Sequence, residues 1–320
     1  MFILLHLCFH AYSQQEVKGT TPETLLYINL FNTKNDTTLA CYRIPSLVTA
    51  TNGDLIAAID MRVPSCADLK WNDDINIVIR RSMDNGDTWS EIETVIDYPI
   101  GQSASDPSMV VDRTTGIVFM FYNFMDLEKE KDVYYFKVVT SLDHGKSWSK
   151  PKDITSQITK PDWQNDFKFI TSGSGIQTQS GKLLHTIVNL EKGLHVFCSD
   201  NHGESWYLID SAIKPADESK IAELTGDTLM ITSRVNDAGI RYKHFSFDQG
   251  VTWSTMPDSS LIDPGCNASI LCFNPSSDNL DMNWILISNV RSKNKREDLT
   301  INLSFDNGRR WPISKTIYVG

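Results

Sequence analysis

A chain of 320 residues, 41% hydrophobic and 22% charged, has the make-up of an ordinary folded domain, and its length admits two domains or one long repeat fold. The formal net charge of −10 argues against nucleic acid as a partner, so any anionic ligand has to be held by a local cluster of Arg or Lys. Beyond the N-terminus, no stretch approaches the roughly 20 apolar residues of a membrane span. The six cysteines show no metal-ligand spacing, and neither a metal nor another cofactor is expected.

In chain order, Met1 to His10 form a short apolar run followed by Ala11-Tyr12-Ser13. This resembles a secretory signal peptide, although it lacks a basic start; a buried first strand is the competing reading. On the first reading residues 1–13 are the signal, and residues 14–320 form one secreted, extracellular or lumenal domain. With Cys8 in the signal, Cys41, Cys66, Cys198, Cys266 and Cys272 remain, an odd set that suggests at most one or two bridges. Asn35-Asp36-Thr37 and Asn267-Ala268-Ser269 fit the glycosylation sequon, whereas Asn302-Leu303-Ser304 fits it inside a strand.

Strand-like segments fill the rest. They include Arg43 to Ala50, Leu55 to Met61, Ile75 to Arg81, Ser108 to Asp112, Ile117 to Tyr122, Lys182 to Val188, Leu229 to Arg234 and Trp284 to Asn289. No amphipathic helix of ordinary length interrupts them. One motif punctuates the series: SMDNGDTW from Ser82, SLDHGKSW from Ser141, SFDQGVTW from Ser246 and SFDNGRRW from Ser304. A degenerate copy, SDNHGESW from Ser199, has Asn201 in place of the Asp. The starts are 59, 58, 47 and 58 residues apart, a period that marks a repeat architecture. The motif is turn chemistry: the Asp carboxylate accepts backbone N–H bonds, the Gly supplies positive φ, and the Trp packs back on the flanking strands. About four strands fit in each interval, the size of a propeller blade, so an all-β propeller is expected. The first motif closes the third-to-fourth strand turn of blade one, and the fifth completes blade five around Tyr318.

With Tyr42-Arg43-Ile44-Pro45-Ser46-Leu47 upstream of five such boxes, the chain resembles the sialidase (neuraminidase) family of six-bladed Asp-box propellers, from about Leu25 to Gly320. The boxes alone are not specific to it; the Arg-Ile-Pro segment is. The resemblance implies an exo-α-sialidase that removes terminal sialic acid from glycoconjugates with retention. Sialylated glycans are then the partners. A sialic-acid-binding propeller without catalysis and a trans-sialidase are the alternatives.

It also implies roles residue by residue. Arg43 is the first of three arginines that grip the substrate carboxylate. Arg234, in Leu229 to Arg234, is the second, with Arg241 as its alternative. Arg296 is the third, with Arg291 as its alternative. Three guanidinium forks suit the task because each binds a carboxylate bidentately, which a lysine cannot do. Asp68 matches the acid/base aspartate, ahead of Asp73 and Asp74. Glu218 matches the partner of a tyrosine nucleophile, and Arg62 and Asp106 match contacts on the O4 side of the sugar. An Asp-Pro turn is the other reading of Asp106. The tyrosine itself, roughly thirty residues after the third arginine in the family, falls just beyond Gly320. Tyr318 is read as part of blade five. The expected fold is therefore a six-bladed propeller with five blades present and the sixth largely missing.

Overall fold

The computed structural model describes residues 28–319 apart from 35 and 274–283. The signal-like segment, Cys8 and Asn35 lie outside the described residues. What is described is all-β, arranged as five sheets, each built on four antiparallel strands in chain order. Blade one runs Cys41–Thr49, Leu55–Arg62, Ile75–Ser82 and Glu93–Ile96. Blade two runs Gln102–Val111, Val118–Asp126, Tyr135–Ser141 and Lys152–Asp153, with Gly173–Ser174 added in parallel on its first strand. Blade three is Ile176–Gln177, Leu183–Asn189, Gly193–Ser199 and Tyr207–Leu208, and Lys168–Ile170 also pairs with its second strand. Blade four is Ser219–Glu223, Leu229–Ser233, Ile240–Ser246 and Ser254–Ile262. Blade five is Ser269–Phe273, Trp284–Val290, Leu299–Ser304 and Ile313–Tyr318. The first strands of neighbouring blades touch one another, which makes them the inner wall. Tyr318 lies on the outermost strand of blade five, opposite Leu299.

Each box folds the same way. In the first copy Asn85 and Gly86 both have positive φ, 59° and 96°, the backbone that a two-residue hairpin turn requires. Asp84 accepts the Thr88 N–H at 2.9 Å and the Ser82 hydroxyl at 2.8 Å, while Gly86 N donates to Ser82 Oγ at 2.7 Å. Asp143, Asp248 and Asp306 repeat the bond to the residue four on, each at 2.8 Å. Asn201 makes it too, at 3.1 Å, so the degenerate copy keeps the turn.

The box tryptophans fasten blade to blade. Trp148, Trp206, Trp253 and Trp311 each enter the apolar cluster between their own blade and the one before it. Trp89 of blade one enters a cluster in which Leu30 and Phe31 pack on Ala57, Ile59 and Val78. The N-terminal segment therefore covers blade one where a preceding blade's side chains would lie. No strand is assigned at residues 28–31, so the segment acts through apolar packing rather than sheet pairing.

Strand direction separates the two rims. Within a blade the first strand runs toward the end that carries the box and the second runs back. The starts of first strands, the ends of second strands and the loops leading to third strands therefore share the opposite rim. Arg43, Arg62, Asp68, Glu218, Arg234, Arg291 and Arg296 all occupy such positions.

Candidate active site

Two of the site residues sit at breaks in the inner wall. Pairing of blade one's first two strands shifts register between Arg43 and Ser46, and Ile44 takes φ 59°. Blade two does the same between Ser105 and Ser108, where Asp106 takes φ 63°. A left-handed β-branched residue is strained, and bulges of this kind re-aim the side chains beside them. The Asp106-Pro107 step is thus a bulge inside strand Gln102–Val111 rather than a turn. This is why the strand starts six residues before the Ser108 that sequence pattern suggests.

Blade one supplies a charged cluster. Arg62 and Asp60 are fully buried and paired at 2.8 Å. Arg62 Nη1 also donates to Asp68 Oδ1 at 2.8 Å and to the Cys66 and Ala67 carbonyls. Arg43 Nη1 reaches the same Asp68 oxygen at 2.9 Å and the same Cys66 carbonyl at 2.9 Å. Burial raises the Asp68 pKa, but the Arg62 hydrogen bond and the Arg43 charge outweigh it, and the net direction is down. Asp68 is therefore held ionised. A disulfide between Cys41 and Cys66 ties the strand bearing Arg43 to the loop bearing Asp68. Cys198, Cys266 and Cys272 are free.

Blade four supplies a second pair. Glu218 precedes its first strand and Arg234 follows its second, so the sheet register sets them opposite one another. Arg234 Nη1 donates to Glu218 at 2.7 Å, while its Nε donates to Asn236 at 2.8 Å. Arg241, the alternative second arginine, is fully buried on Asp263, Thr232 and the Cys266 carbonyl. Its donors are spent on structure. Arg296 is exposed in the loop before blade five's third strand. Its charge is felt at the Cys266 thiol together with those of Arg234 and Glu218, although burial dominates there and raises the thiol pKa. Arg291 contributes a backbone bond to Asp298.

Asp106 connects the two halves. Its carboxylate accepts from Asn123 at 2.9 Å, and its N–H donates to Asp60 at 2.9 Å. Burial pushes its pKa up, and the charges of Asp60 and Glu218 push it further. The structure thus brings Arg43, Arg62 and Asp68 into direct contact and Glu218 onto Arg234. Asp106 feels charges from both groups, whereas Arg296 stays exposed in its own loop.

Two residues escaped sequence reasoning. Lys220 is 3% exposed on the inner strand of blade four. Its ammonium donates to Asn267 at 2.8 Å, and Gly173 leaves room for it, since a Cβ there would lie 3.0 Å from Lys220 Cε. Burial lowers its pKa to about 8, opposed by the negative charges of Glu218 and Asp106. The only available signal was a lysine next to Ile221-Ala222 on a short inner strand. Tyr134 is buried with its phenol in the field of Asp132, Asp106 and Asp68. Asn267 also corrects a reading: its amide serves Lys220, Ser172 and Ala268, so in the folded protein it is engaged inside rather than presented for glycosylation.

Residues 70–320 match the BNR repeat-like domain family. A sialidase of Micromonospora viridifaciens is 33% identical over 309 residues, covering 87% of this chain and 46% of its own length. A sialidase of Bacteroides fragilis is 28% identical, covering 86% and 55%. The chain thus spans about half the length of these curated relatives. Among solved structures, the Hadza microbial sialidase Hz136 superposes with a TM-score of 0.77 at 28% identity, covering 87% of this chain and 59% of that one. The repeats, the blade order and these likenesses agree: the chain belongs to the BNR repeat-like family and is a propeller of the sialidase family.

Proposed function

We propose that the protein is a secreted exo-α-sialidase that releases terminal sialic acid from glycoproteins, glycolipids or oligosaccharides with retention of configuration. On this reading Arg43, Arg234 and Arg296 bind the carboxylate on the anomeric carbon. Asp68 protonates the leaving oxygen and then activates water. Glu218 draws the proton from a tyrosine nucleophile, a neutral group that avoids the repulsion a carboxylate nucleophile would meet. Asp106 faces the O4 side. Arg62, expected among the sugar contacts, is buried with its donors engaged, and serves by holding Asp68. Secretion follows from reading residues 1–13 as a signal peptide, and N-terminal sequencing of the exported protein should begin at Gln14.

One observation carries the reading: Arg43 and Arg234 are each already paired with a carboxylate that the reaction needs, Asp68 and Glu218. A substrate carboxylate that takes over Arg43 loosens the hold on Asp68 and moves it toward the protonated form an acid must have. Proton NMR of 3′-sialyllactose incubated with a chain extended through the tyrosine expected after Gly320 tests this. Release of the α-anomer first is expected, and the β-anomer first would overturn retention. Asp68→Ala should lose far more on sialyllactose than on an aryl sialoside, whose leaving group needs no proton. Binding of sialic acid without release would favour the non-catalytic propeller.

A further inference from the structure

Lys220 is a buried cation that the reaction scheme above leaves without a task. It stands opposite Thr232 in the sheet of blade four. Arg234, two residues beyond Thr232, donates its N–H to the Glu218 carbonyl at 2.9 Å, so the pairing of the two strands runs on to Glu218. Side chains two residues apart on a strand point to one face. Glu218 and Lys220 therefore share a face, and one two-residue step, roughly 7 Å, separates them. Ala222, next on that face, packs in the cluster between blades four and five. The Lys220 ammonium ends on Asn267, which precedes blade five and in turn donates to Ser172 at 2.8 Å. Gly173, beside Ser172, makes room for the lysine stem.

The neighbouring guanidinium groups each have an anion in contact. Arg43 and Arg62 hold Asp68, Arg62 also holds Asp60, Arg234 holds Glu218 and Arg241 holds Asp263. Lys220 instead bonds a neutral amide, and among the described residues no carboxylate lies within ion-pair distance of it. Burial disfavours its ammonium most, Glu218 and Asp106 favour it, and Arg241 opposes it. His185 of blade three also feels this charge, but its own burial is the main reason it stays neutral. Lys220 is thus a cation without a contact partner, set beside a carboxylate whose own partner a ligand would claim.

The two paired arginines must part from their carboxylates with opposite results. When a ligand carboxylate claims Arg43, Asp68 gains proton affinity, as an acid should. When it claims Arg234, Glu218 has to stay an anion if it is to receive the proton of a tyrosine. We propose that Lys220 is the positioning residue that makes this difference, a counter-charge that leaves the Glu218 oxygens open and keeps that carboxylate charged once Arg234 turns to the ligand. The inference rests on the roles of Arg234 and Glu218 in the sialidase reading. The coupling is reciprocal: a Glu218 released by Arg234 favours the ammonium more strongly, so Lys220 takes up a proton wherever it is partly neutral.

Calorimetry of sialic acid binding, in buffers of different ionisation enthalpy, tests this on the chain as it stands. Burial brings the Lys220 pKa down to about 8, so near that pH the wild type should take up part of a proton on binding. Its affinity should fall severalfold from about pH 7 to about pH 9.5 as the counter-charge is lost. Lys220→Met should bind about tenfold more weakly near pH 7, with neither the uptake nor the alkaline fall. In a Glu218→Gln background, which has no anion to compensate, the same substitution should cost less than about twofold. An equal loss in both backgrounds would overturn the inference and leave the sialidase reading intact, because a merely structural lysine would act alike in each. If Lys220→Met does not fold, the wild type decides alone: constant affinity across that range without uptake would overturn the inference. Failure of the wild type to bind sialic acid at any pH would sink the sialidase reading and this inference with it.

Discussion

Arg43, on blade one's first strand, and Asp68, on the loop after its second, are bonded at 2.9 Å through an oxygen that Arg62 also holds at 2.8 Å. The ligand-free site therefore keeps its acid ionised with the same guanidinium that a substrate carboxylate would claim. Arg43→Lys should weaken sialic acid binding by about 2–4 kcal/mol, because a lysine offers no planar fork. Calorimetry checks this, and an unchanged affinity would remove Arg43 from the carboxylate site.

Proton uptake follows from the same pair. The Asp68 pKa lies below its ordinary value in the free protein, so the group is more ionised than an ordinary aspartate through the carboxylate range. A ligand that diverts Arg43 raises that pKa, and a proton is taken up on binding. Titrations in buffers of different ionisation enthalpy should show uptake near pH 4 that vanishes in Asp68→Asn. Release, or no exchange at all, would contradict it.

Lys220 should leave a signature in alkaline stability. Its folded pKa, about 8, lies below the ordinary 10.5, so between these values the unfolded chain binds the proton that the folded one has lost. The cost of burying the ammonium is fully present below pH 8 and disappears as pH rises to about 10.5. Stability of the wild type should therefore gain roughly 3 kcal/mol across that window relative to Lys220→Met. Parallel pH profiles of the two proteins in urea unfolding would refute it.

The Cys41–Cys66 bridge closes a span of 25 residues, and the Cys66 carbonyl accepts from both Arg43 and Arg62. Replacing both cysteines by serine should cost about 3 kcal/mol of stability through loop entropy. It should also weaken sialic acid binding at temperatures where the fold persists. Loss of stability with full binding would confine the bridge to a structural role.

The boxes make a contrasting prediction. Asn201 fills the Asp place and still accepts from Ser205, so Asp84→Asn should leave the unfolding temperature nearly unchanged. Asp84→Ala, which removes the acceptor for Thr88 and Ser82, should lower it measurably. The Asp84 pKa is held down to about 2 by the Thr88 hydroxyl and N–H. Its contribution is thus present above the ordinary carboxylate range and lost as pH falls through about 2, and Asp84→Asn should abolish that acid dependence. Calorimetric scans at neutral and low pH decide it.

The architecture was legible because a turn that needs two left-handed residues and a side-chain oxygen acceptor has few sequence solutions, and this chain repeats one of them five times, four with Asp and one with Asn201. Arg43, Asp68, Glu218 and Arg234 were singled out through the resemblance carried by the Arg-Ile-Pro segment and the boxes, whereas the contacts that set Arg43 on Asp68 and Arg234 on Glu218 come from the fold. The bulges at Ile44 and Asp106 were not, since nothing local forces a left-handed isoleucine; packing of the inner wall imposes it. Lys220 was hidden for a similar reason. Its partner Asn267 is 47 residues away, and no sequence period joins the two. The pairing of Cys41 with Cys66 was equally invisible, because chain separation does not say which loops meet.

Arg43 and Arg234 together bear on how a ligand arrives. Arg43 and Arg234 each have an anion in hand before any ligand comes, within a chain of net charge −10. Little positive field reaches out into solvent, so capture should resemble ion exchange at short range more than attraction from afar. Association would then be slow to respond to added salt, and selectivity would reside in which carboxylate can trade places with Asp68 and Glu218.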